Sequence, residues 1–171
     1  MSTPTSIFRQ YEQEAYATYE TITGITLQRN TDGSFKSQGT NDVLDAYRHA
    51  YVSAVMTKDH GEFIAFVAGA AHEIRGDLFN GQKSEPRRMD DWNNSVGREI
   101  GAAASSRESI AQDVHSALQS GELITDPAID KRQLPSAYSE YRDDNTLSNA
   151  INTFFLQFKN WTPPRRDPLA L

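Results

Sequence analysis

The chain has 171 residues, 37% hydrophobic and 23% charged, enough for one globular domain with its own core. A formal charge of −6 argues against a general nucleic-acid binder, because the phosphate backbone needs a basic face and the basic residues here are scattered. With no cysteine, the chain has no disulfide, no thiolate metal site and no cysteine nucleophile.

Met1 to Arg9 lacks a basic stretch followed by an apolar core, so no cleaved signal peptide is expected. No apolar run approaches the roughly 18 residues of a membrane-spanning helix. From Ser6 to Ile22, the residues Ile7, Tyr11, Ala15 and Tyr19 recur at spacing four and predict a first helix, ended by Thr23-Gly24. Residues 25–36 alternate around Asp32-Gly33 and predict a small β-hairpin. A second helix begins at Thr40-Asn41-Asp42, which supply N-capping chemistry, and runs to Lys58 before the break at Asp59-His60-Gly61.

The third helix spans Glu62 to Leu78 and is apolar on most sides, the mark of a central element. Pro86 suits the first turn of a fourth, reaching Ala104. Ser105-Ser106 cap a fifth, Glu108 to Gln119, which Gly121 ends. A loop follows from Leu123 to Pro135, then a last helix or helix pair from Tyr138 to Trp161. There Phe154, Phe155, Phe158 and Trp161 read as a core face, since no basic residues interleave to make a base-stacking platform. The expected fold is all-α, an irregular single-domain helical bundle over residues 1–161 with a small hairpin near 25–36. Residues 162–171, with Pro163-Pro164, read as a linker into a missing downstream region.

Three polar signatures interrupt these apolar helices. On the second helix Asp45, His49 and Ser53 fall at i, i+4 and i+8, with Arg48 beside them. Neighbours four apart share a helix face, so Asp45 can hold one ring nitrogen of His49 and raise the basicity of the other, as a general base requires. Ser53 reads as a packing residue, because no Gly-x-Ser-x-Gly elbow is present. On the third helix His72 and Glu73 are adjacent and point about 100° apart. On the fourth, Asp90, Asn94 and Arg98 repeat at spacing four, Asn93 adds an amide, and Gly97 and Gly101 admit a close-approaching backbone or ligand. A metal held by His49, His72 and a carboxylate would lack any tight ligand spacing such as His-Glu-x-x-His, so no metal is assigned. The competing structural interpretation pairs Arg48 and Arg98 with Asp45, Glu73 and Asp90 to dock three helices.

The ordered set Asn41-Asp42-x-x-Asp45-x-x-Arg48-His49-Ala50, Ala71-His72-Glu73 and Met89-Asp90-x-x-Asn93-Asn94-x-x-Gly97-Arg98 resembles a bacterial domain family of secreted and polymorphic-toxin-like proteins. The match departs at Val52, where an aromatic is expected after His-Ala-Tyr, a packing change only. The tail from Trp161 to Leu171 is similar to the lead-in to the calcium-binding repeats of repeats-in-toxin-like proteins. This second resemblance implies calcium sites downstream of the chain, none within it, and secretion by a route independent of a signal peptide; without it the expected location is the cytoplasm.

Together these features lead to the expectation of a hydrolase-type effector domain of an exported bacterial protein, acting on a cell-envelope component. Its catalytic groups would be His49, Asp45, Glu73 and His72, and its substrate-binding groups Arg48, Asp90, Asn93, Asn94 and Arg98. The alternative is a non-catalytic adhesion or targeting module that binds a surface ligand, its polar network purely structural.

Overall fold

The computed structural model describes residues 4–62, 64–69, 84–132 and 134. Within them the chain is helical: α1 (Pro4–Thr23), α2 (Val43–His60), a stretch α3 at 64–69, α4 (Ser84–Ala103) and α5 (Arg107–Gln119). The all-α expectation holds. The hairpin reduces to one antiparallel bridge, Arg29 with Phe35, around a turn at 30–33. Residues 138–161, and the aromatic face expected on them, lie outside the described residues. No described helix is long and apolar enough to cross a membrane.

The helix ends follow from their capping residues. Asp42 accepts the Asp45 N–H at 2.9 Å and starts α2. Gly61, at φ 87°, closes it by donating its N–H to the Thr57 carbonyl. Ser106 and Ser109 form a reciprocal capping box at the start of α5, matching the expected start within one residue.

α2 is the hub around which α1, α4 and α5 gather. Ala46, Tyr47, Ala50, Tyr51, Ala54 and Val55 on it are fully buried. Its alanines at spacing four form a shallow groove for α4, which meets it with Gly97 and Gly101. A Cβ on Gly97 would stand 2.9 Å from the Cα of Ala50, and one on Gly101 2.8 Å from that of Ala54. The two glycines therefore admit another backbone, not a ligand. Ser53 lies at the same seam and donates its hydroxyl to the Asn94 carbonyl at 2.8 Å, a packing role. This close crossing sets the polar positions of α2 and α4 against each other.

The connection from α1 to α2 is tied back onto α1. Gln13 exchanges two hydrogen bonds with the Phe35 backbone, and the Tyr16 hydroxyl does the same with Gln38. The tie brings Glu12 and Tyr16 of α1 to the N-terminal half of α2.

Candidate functional site

Asp45 and His49, one turn apart on α2, meet Asp90 from α4. His49 Nε2 lies 3.5 Å from Asp45 Oδ1 and 3.4 Å from Asp90 Oδ1. Each of the three residues offers one ligating atom within 4.8 Å of the other two. Each carboxylate side chain is 6% exposed and the imidazole 12%, so the group sits just under the surface. Asp45 is oriented from behind: its Oδ2 accepts the Asn41 N–H at 2.6 Å, leaving Oδ1 for the centre. Asn41 makes this reach with a positive φ of 54°, a conformation that asparagine tolerates better than most residues.

Arg48 closes the group on the α1 side. Its Nη2 donates to Asp45 Oδ1 and lies 3.4 Å from His49 Nε2. Its Nη1 donates to Glu12 at 3.0 Å and reaches the Tyr16 hydroxyl at 3.5 Å. Burial works against the Arg48 charge, yet Asp45, Tyr16 and Glu12 together outweigh it and raise the guanidinium pKa above its ordinary value. Arg48 is therefore a fixed cation spanning α1 and α2.

Other expected residues are placed elsewhere. Asn93 is fully buried, with Nδ2 on the Ile124 carbonyl at 2.9 Å and Oδ1 accepting the Ile124 N–H at 2.8 Å. Both ends of its amide are therefore engaged by backbone. It is a clamp for the segment after α5, aided by Trp92 Nε1 on the Glu122 carbonyl and by Arg88 on the Pro127 and Asp130 carbonyls. Asn94 turns its side chain toward Gly69 of α3. Arg98, two turns beyond Asp90, is buried with its guanidinium 5.4 Å from the Phe66 ring. His72 and Glu73 lie outside the described residues.

Residues 5–122 match the model of a family described as a domain of unknown function (DUF6973). The chain belongs to this family. From residue 5 on, the DUF6973 match covers the helical segments described above, and Asp45, Arg48, His49 and Asp90 lie within it. No solved structure matches the chain.

Glu12 and Tyr16 are members of the site that the motifs do not mark. Glu12 lies 36 positions from Arg48, and only the fold of the 24–42 connection brings the two together. Asn41 stood in the motif as a capping residue, whereas its backbone N–H is the part in use. The arrangement sets an imidazole, two carboxylates and a guanidinium that stays protonated at any working pH within one cluster.

Proposed function

We propose that this DUF6973 domain is a hydrolase whose working centre is Asp45, His49 and Asp90, with Arg48 as its fixed cation. One observation carries this proposal: two carboxylates from two different helices converge on one imidazole nitrogen. A centre of this kind takes the proton of a water as its oxygen attacks an electrophilic carbon or phosphorus. The proton then passes to the leaving group, so acid and base roles stay within one cluster. The motif resemblance supplies the rest of the proposal, an effector domain of an exported bacterial protein acting on a cell-envelope glycan, peptide or lipid.

A second reading has its own observation. The cluster is largely covered and ties α1, α2 and α4 together through Glu12, Arg48, Asp45 and Asp90, as a docking network in a non-catalytic adhesion module would. The two differ at His49. The purified chain is assayed on peptidoglycan, phospholipid vesicles and simple esters, alongside His49→Ala. The hydrolase proposal expects turnover by the wild type and a loss of about 10²–10⁴-fold in the variant, with the melting temperature nearly unchanged. A variant that loses stability first, in a chain that turns over none of these substrates, establishes the docking network instead; one that hydrolyses as well as the wild type removes His49 from the catalytic centre.

A further inference from the structure

The geometry points to a divalent transition-metal site at the same centre, with His49 Nε2, Asp45 Oδ1 and Asp90 Oδ1 as its three protein ligands. The inference rests on the proposal above only for the choice of centre, and it adds the cofactor class. The atoms that converge are the ligating ones: an imidazole nitrogen and one oxygen from each carboxylate. Their spacing is the second argument. At 3.4 and 3.5 Å, the two N···O contacts are longer than the 2.7–2.9 Å usual for charge-assisted hydrogen bonds. Ligands about 2.0–2.2 Å from a tetrahedral ion lie roughly 3.3–3.6 Å apart, which is the spacing of both N···O contacts.

The lone pair at Nε2 gives a third argument. Guanidinium can only donate, so the approach of Arg48 Nη2 at 3.4 Å makes Nε2 the acceptor, the form in which an imidazole ligates a metal. An ion would take that lone pair and both carboxylates at once. Arg48 already shows that this position attracts positive charge, and its second arm on Glu12 and Tyr16 gives the guanidinium a place to stay when Nη2 leaves Asp45 Oδ1.

The hydrogen bond from Asn41 N–H to Asp45 Oδ2 is the outer-shell support that ligating carboxylates commonly receive. One nitrogen with two oxygens suits zinc or manganese better than calcium or magnesium, which prefer all-oxygen shells. Three protein ligands leave a coordination position open, as at catalytic rather than structural sites. Water bound there would be acidified and would serve as the nucleophile, with His49 then a ligand and not the base.

The test uses the full, untagged chain, freed of metal by chelator and titrated calorimetrically with zinc, manganese, magnesium and calcium chlorides in separate runs. Melting temperature is followed in parallel. One-site binding of zinc or manganese is expected, with an upward shift in melting temperature at excess ion. Asp90→Asn, which keeps the side-chain shape, and His49→Ala should each weaken binding by about 100-fold or more, whereas Asp113→Asn, on α5, should leave it unchanged. If His49→Ala fails to fold, Asp90→Asn decides. Absence of zinc and manganese binding, or equal binding by Asp90→Asn, overturns the metal site. Binding without hydrolysis of any substrate would keep the metal site and remove the hydrolase proposal. Hydrolysis that depends on His49 without binding would do the reverse.

Discussion

Arg48, partly buried, and Asn93, fully buried, are polar side chains that do different work. Arg48 joins α2 to α1 through Asp45 and Glu12, and its removal leaves the buried Asp45 carboxylate without its guanidinium. Breaking such a pair costs about 3–5 kcal/mol, most of it from the Asp45 arm, since Glu12 is more exposed and contributes less. Arg48→Ala should lose that much in urea denaturation; a loss within about 0.5 kcal/mol would mean the pair is not holding the helices. Asn93 instead satisfies both backbone groups of Ile124. Asn93→Ala strands two buried polar groups and should cost about 2–5 kcal/mol. Asn93→Asp should not rescue it, because a carboxylate oxygen would replace the donor that faces the Ile124 carbonyl. Equal stability of wild type and Asn93→Asp would return Asn93 to the list of residues available for other work.

Between elements, the α2–α4 crossing decides most. Alanine at Gly97 or Gly101 gains about 1 kcal/mol of helix propensity, so propensity alone predicts stabilisation. The structure predicts the opposite sign. The added Cβ meets the carbonyl of Ala50 or Ala54, backbone atoms that cannot turn away as a side chain can. Overpacking of this kind costs about 1–3 kcal/mol or more. Gly101→Ala should therefore shift the urea midpoint downward, and Gly97→Ala, two turns along α4 from Asp90, should also separate Asp90 from His49. A midpoint unchanged or raised in both variants would mean the helices cross further apart.

Across the domain, the far end of α2 gives stability a dependence on pH. There Tyr11 donates to Asp59 at 2.7 Å and lies 3.0 Å from His60 Nε2, while Arg107 of α5 binds Asp59 at 2.6 Å. Burial lowers the His60 pKa below its ordinary value, Arg107 acting in the same direction and Asp59 against it. The unfolded chain takes up this proton near pH 6.5 and the folded chain only at lower pH, so the unfolded state binds more protons in between. Stability should be full above about pH 6.5 and fall as pH drops through that window. His60→Gln should flatten the acid limb of a melting-temperature profile; an unchanged limb would assign it to other groups.

The alkaline side runs the other way. Burial raises the hydroxyl pKa of Tyr11 and Tyr51, with Asp59 and Glu14 as further causes, and pushes that of Tyr47 up to about 12. The unfolded chain ionises its tyrosines near pH 10 while the folded chain keeps these protons, so stability should fall as pH rises above about 10. Phenolate absorbance near pH 10 in the folded protein that was lost in Tyr47→Phe would contradict this.

Helix content, the starts of α1, α2 and α5, and the polar character of the Asp45–His49 turn and the Asp90 turn were legible in the chain, because each is a local property. Periodicity and capping act within four residues, and a helix displays its face whatever packs on it. The partners of those faces were not legible. That Asp90 meets His49, that Glu12 holds Arg48, and that Asn93 serves Ile124 all depend on which helices touch and in what register. Gly97 and Gly101 against Ala50 and Ala54 decide that register by close packing between residues 47 positions apart in the chain, beyond the reach of any local pattern. Residue types and their helical faces came from the sequence by itself. Their convergence on one imidazole nitrogen came only with the tertiary structure, because a charge cluster is defined by distances across elements and no periodicity encodes those.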